Sequence, residues 1–289
     1  MADISGKVTR KSIKAKKKAA IKTIKLQAKE SIKKVKIEYD ENPMRKMAKE
    51  HEKQQKIERR VQRANARLAY NIRQPRQFTL GEDLLNSISH GIGAGLSVAA
   101  IVLLVLKSLK ACPEGVSLTS CVTSYVMFGA SMFIMYLMST LYHAIPSMAV
   151  RRVFSVFSHC SIYFLIAGTY SPFVIVNVPG KTGVILNAVI WTVCAVMIFF
   201  YLVLGTRMRN FSVFTYIVLG WLIVSTFSFF PVGVTLPLIT RAMLFTGGAV
   251  FTFALIFFLM RRHKWTHSIF HLLTLFGSVF HFFSIYFMI

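Results

Sequence analysis

The sequence predicts an all-α integral membrane protein: a bundle of seven transmembrane helices, N-terminus inside and C-terminus outside, behind a basic cytoplasmic arm. Three observations predict it. First, the chain is 54% hydrophobic yet has a formal net charge of +24. Second, the two properties lie apart. Residues 1–80 hold 24 Lys and Arg against 8 Asp and Glu, a net of +16, and the other 209 residues hold 11 against 3, a net of +8. Third, seven apolar runs follow the arm, each close to the ~20 residues a helix needs to cross the hydrocarbon core. A soluble domain of this size has no need of repeated runs of that length. The four cysteines (Cys112, Cys121, Cys160, Cys194) form no CxxC pair or ribbon-like spacing and read as apolar-site thiols, with Cys112 and Cys121 able to meet across one loop. The first 80 residues lack the apolar core of a secretory signal, so the first spanning helix is expected to do the targeting. Two regions follow: an arm at 1–80, partly helical or disordered, and a membrane domain at 81–289.

In the arm, "IKAKKKAAIKTIKLQAKESIKKVKIEY" repeats Ile21, Ile24, Ala28, Ile32 and Val35 at 3–4 residue spacing among lysines. This pattern suits a basic amphipathic helix on an anionic leaflet, and a solvated tail is equally compatible. Aromatic side chains that stack on bases are nearly absent there, which argues against a nucleic-acid partner.

The spans fall at roughly 84–106, 122–143, 153–176, 184–205, 211–230, 240–260 and 266–288, parted by breakers and charges such as "KSLKACPEG", "NVPGKTG" and "RRHKW". Spans five and six are parted only by Pro231, Gly233 and Pro237. With the arm inside, the inner loops carry Arg151, Arg152, Arg207, Arg209, Arg261, Arg262 and Lys264. The outer loops carry Lys107, Lys110, Lys181 and Arg241. Basic residues favour the cytoplasmic side, and the arm adds to that bias.

On this topology the polar residues converge at one depth. His267 and His271 open span seven on one helix face, about 6 Å apart along the axis. His143 ends span two, with Ser139 one turn earlier. In span one, "GEDLLNSISHG" puts Glu82, Asn86 and His90 on one face, with Asp83 angled away. Span three begins with Ser158 and His159 near the same side. Ionisable groups inside a membrane are costly and usually functional. An HxxxH pair with a third histidine at matching depth points to a metal, and three imidazoles with an open fourth position are a catalytic type of zinc site. His281 lies ten residues beyond His271, about 15 Å further along the helix, too far to share that metal; it reads as a hydrogen-bonded residue of the interior. His267, His271, Thr274, Ser278 and His281 form an inward polar stripe that lines a cavity or, in the alternative, joins helices. His51 and His263 receive no role.

The segments "NSISHGIGAGLS", "STLYHAI", "SIYFLIAGTYSPF" and "HSIFHLLTLFGSVFHFF" resemble the signature segments of the bacterial hemolysin III proteins, within the wider progestin and adiponectin receptor superfamily. The resemblance covers about residues 80–289 and leaves out the arm. It implies a seven-helix cell-membrane protein that holds Zn2+ on His143, His267 and His271 near the cytoplasmic face. The family's Glu–Asn–His pattern falls on Glu82, Asn86 and His90, and its serine before the first ligand falls on Ser139. Where the family usually has an aspartate that orients the water at the metal, this chain has Ser158. Serine can hydrogen-bond that water but cannot act as a carboxylate base, and Glu82 is the expected substitute. Tris-imidazole ligation favours zinc among common metals. Three functions fit: a zinc-dependent hydrolase of lipid amides using Ser139, Ser158 and Glu82, a pore-forming cytolysin, and a non-catalytic membrane-homeostasis or receptor-like protein with structural zinc. The implied partners are membrane lipids, including a lipid substrate for the first function.

Overall fold

The computed structural model describes residues 4–39, 43–72, 78–178, 180–231, 235–260 and 263–288. Regular structure among them is helical throughout. Of the residues singled out above, Gly233, Arg261 and Arg262 lie outside the described set. The chain divides into two compact units, Met1–Ile72 and Arg73–Ile289.

The first unit holds α1 (Ile4–Glu38) and α2 (Pro43–Ile72). Lys, Ala, Gln and Glu favour helix along both, and Pro43 takes the first helical position, where its missing N–H costs nothing. Lys33 donates to Glu50 and ties one helix to the other. That hydrogen bond holds the Lys33 ammonium above its ordinary pKa range and the Glu50 carboxyl below it.

Among the described residues, the second unit contains seven helices long and apolar enough to cross a membrane. These are α3 (Leu80–Ala111), α4 (Leu118–Ala144), α5 (Met148–Asn177), α6 (Gly180–Leu204), α7 (Arg209–Trp221), α9 (Leu238–Leu259) and α10 (Thr266–Tyr286). The short α8 (Ile223–Thr226) and a 3-10 turn carry the fifth span on to Phe229. Each expected span falls on one of these, and spans five and six are separate helices. Local signals explain the ends. Thr79 and Glu82 form a reciprocal capping box on α3, and the Ser117 hydroxyl accepts from the Ser120 N–H to start α4.

Small residues set the crossings, as they do where helices have no hydrophobic drive to associate in lipid. A Cβ on Gly168 of α5 would lie 2.0 Å from Ser131 Oγ and 2.9 Å from the Met127 carbonyl oxygen of α4. One on Gly247 of α9 would lie 2.3 Å from His281 and 3.1 Å from the Gly277 carbonyl oxygen of α10. The helix α5 is the most deeply buried, whereas α6 buries only Gly183, Cys194 and Tyr201 and turns Val184, Phe199 and Val203 outward. The helices α3, α4, α5 and α6 pack in sequence, α9 packs on α10, and α10 returns against α3. That return brings the first turns of α10 beside the start of α3 and the end of α4.

Candidate metal centre

The start of α10 is held from α3. Trp265 precedes α10 in the left-handed region, φ 63°, which is uncommon for a bulky residue. Its N–H donates to Glu82 Oε1 at 2.9 Å, while Glu82 Oε2 accepts from the Thr79 N–H and hydroxyl, each at 2.9 Å. Both carboxylate oxygens of Glu82 are thus engaged in fixing two helix starts. This sets the position of His267, two residues after Trp265.

His143, His267 and His271 each bring a ring nitrogen into one group, all within 4.8 Å of one another, and these residues could hold a metal ion. The Nε2 atoms of His271 and His267 are 3.0 Å apart. Two nitrogens at about 2.0–2.1 Å from one tetrahedral metal would stand roughly 3.3 Å apart, so the pair needs little adjustment. His143 is buried, and its Nδ1–H donates to Asp83 Oδ1 at 2.8 Å. That bond fixes the tautomer and leaves the Nε2 lone pair available. Nε2 is itself buried and has no hydrogen-bond partner among the described residues. The second oxygen of Asp83 accepts from Arg151 Nη2 at 2.9 Å. Arg151 also donates to the backbone carbonyls of His143 and Ile145, both at 3.2 Å. A carboxylate that orients a ligating imidazole is the usual outer shell of such a site. The donor set therefore fits a metal ion on chemistry as well as on distance.

Asp83 does not point away from the site, as its helical position suggested; it reaches His143 directly. Asn86 is fully buried, with Nδ2 3.4 Å from His143 Nδ1. His90 lies with its ring centroid 3.8 Å from that of His271. Phe78 stacks on His267 at 4.8 Å and flanks His143 at 4.9 Å, covering the group from the helix-start side.

A cavity of about 130 Å³ lies within the bundle, with His267 and His271 in its lining. Ser139 and Ser158 line it beside these two histidines, and Ile162, Leu165, Ile166, Leu244 and Leu255 supply apolar walls. The stripe on α10 divides its tasks. Thr274 and His281 line the cavity, whereas Ser278 accepts from the Tyr136 hydroxyl at 2.7 Å and joins α10 to α4. His281 packs against Phe251 and Gly247, away from the metal-type group. His159 donates to the Ser155 carbonyl at 2.6 Å and stacks on Tyr201.

The family described as Haemolysin-III related matches residues 78–282. Hemolysin-3 of Bacillus cereus is 37% identical over 206 residues, covering 71% of this chain and 91% of that protein. The hemolysin-3 homolog of Bacillus subtilis (strain 168) is 33% identical over 210 residues, covering 73% and 95% respectively. The family match takes in the three converging histidines and all of the seven helices but the last turn of α10, and the chain is a multi-pass membrane protein that belongs to the Haemolysin-III related family.

Proposed function

We propose that the membrane domain is a zinc-dependent hydrolase of lipid amides. One observation carries the proposal: three imidazole donors converge inside the bundle, and two of them, His267 and His271, line an apolar cavity. Zinc on His143, His267 and His271 would supply a Lewis acid for the carbonyl and a water of lowered pKa. The rest falls to the chain's own residues. Asp83 and Arg151 hold His143 in its ligating tautomer. Phe78 shields the group, and the apolar walls accept an acyl chain while excluding water. Ser139 and Ser158 face the same cavity. Their hydroxyls can orient a water or a carbonyl but cannot take up a proton as a carboxylate would. Glu82 serves the site by fixing α3 and α10, since its oxygens are already bonded.

The test is turnover of a ceramide-like amide by detergent-purified protein, read beside its zinc content. Ser158→Asp should raise the rate tenfold or more, since general-base assistance contributes typically 10²–10⁴-fold, and Ser158→Ala should lower it with zinc retained. Full zinc with no turnover, unchanged by Ser158→Asp, would instead support a non-catalytic protein with structural zinc. The names of both relatives favour a second reading, a cytolysin. It predicts dye release from vesicles on addition of the purified chain.

A further inference from the structure

The two bacterial relatives match this chain over 206 and 210 residues, which is 91% and 95% of their own lengths, and the family match begins at residue 78. Too little of either relative is left over to form a unit the size of Met1–Ile72. The α1–α2 unit is therefore an addition to the family's membrane domain.

On α1, Ile21, Ile24, Ala28, Ile32 and Val35 fall within one arc of about 80° at 100° per residue. The four large ones stand 44–64% exposed. Lys25, Lys36, Lys29 and Lys22 follow along one flank of that arc, and all four are exposed. Lys33, which bonds Glu50 of α2, lies on that same flank, about 140° from the centre of the arc. The helix α2 therefore packs on the lysine side and leaves the apolar stripe uncovered. Leu26, also exposed, lies on the opposite side, but Ile21, Ile24, Ile32 and Val35 share one narrow stripe edged by ammonium groups, which matches the layering of a membrane surface: acyl boundary beneath, anionic headgroups beside.

We infer that α1 is an interfacial anchor, lying along the anionic lipid leaflet of the membrane that holds the seven helices, with Ile21, Ile24, Ile32 and Val35 inserted and its lysines on the headgroups. The covalent link to the membrane domain makes this binding intramolecular, so modest intrinsic affinity is enough to keep it seated. Nucleic acid would also attract the lysines, but it offers no reason for an apolar stripe, and Tyr39 is the single aromatic residue between Ile4 and Tyr39.

The test uses the full chain in lipid nanodiscs. Trypsin cleavage at Lys22, Lys25 and Lys29 is followed by mass spectrometry in zwitterionic discs and in discs with 30% phosphatidylglycerol. Cleavage should be at least tenfold slower in the anionic discs. The double variant Ile24→Asn, Ile32→Asn keeps every charge and should lose most of that protection. Equal cleavage in the two kinds of disc would overturn the inference, and so would protection undiminished in the double variant. Protection given by RNA in zwitterionic discs, with none from anionic lipid, would overturn it in favour of a nucleic-acid partner. If the double variant fails to insert, the comparison of lipids on the unaltered chain still decides.

Discussion

Asp83 is the position where a single change should report most on the site. Its side chain is 13% exposed and that of Arg151 9% exposed, and between them they hold the His143 ring. Asp83→Ala removes two things at once. His143 loses the acceptor that fixes its tautomer, a kind of outer-shell loss that costs about 10–100-fold in metal affinity, or about 1.4–2.8 kcal/mol. Arg151 loses its counter-ion, and breaking a buried pair costs about 3–5 kcal/mol. Because Arg151 keeps the carbonyls of His143 and Ile145, the lower end applies, about 3 kcal/mol. At about 2–4 °C per kcal/mol for a domain of this size, the metal-free protein should melt about 6–12 °C lower. Asp83→Asn retains one acceptor but no charge, so it should fall between the unaltered chain and Asp83→Ala on both scales. Zinc affinity is read by competition with a chromogenic chelator, and stability by thermal unfolding in detergent with excess chelator. The double variant Asp83→Ala, His143→Ala should lose scarcely more zinc affinity than His143→Ala, because the first change acts through the second residue. An Asp83→Ala protein that binds zinc within twofold of the unaltered chain would refute the assigned role.

Three other outcomes are expected. Substituting Ala for His143, His267 or His271 should each remove most bound metal, while His281→Ala should retain it; equal losses at His271 and His281, by elemental analysis, would contradict the site. Gly168→Ala should lower the thermal midpoint through overpacking worth about 1–3 kcal/mol, because its Cβ would press on the Met127 carbonyl of α4. Gly95→Ala, with open space around it, should be neutral or raise the midpoint through helix propensity. Reporter tags at residue 2 and after Ile289 should map to the cytoplasm and the exterior; both on one face would contradict seven spans.

The seven spans were legible because apolar runs of membrane length have few other uses, and even the weakly parted fifth and sixth emerged as separate helices. Of the three-histidine group, HxxxH fixed two donors on one face; topology brought His90, His143 and His159 to the same depth, and the resemblance to the hemolysin III proteins singled out His143. What the sequence concealed was the assignment of the two adjacent acids. Glu82, Asn86 and His90 recur at i, i+4 and i+8, but Asp83, Asn86 and His90 recur at i, i+3 and i+7, an equally good face. Periodicity could not choose between them. A charge argument could have done so: only three acids follow the arm, and Arg151 at the head of α5 needs a counter-ion if it is buried. The capping box of Thr79 and Glu82, with Glu three residues after Thr, marks Glu82 as the residue already used by the helix start. Asp83 is then left to meet both the arginine and the histidine. The division also bears on chemistry. Each carboxylate near the histidines is already engaged by hydrogen bonds, and on the cavity side stand the hydroxyls of Ser139 and Ser158, which can orient a water but do not take up a proton as a carboxylate would. For that reason Ser158→Asp, rather than any change at Glu82, separates a slow enzyme from a protein whose metal is there to hold α4 against α10.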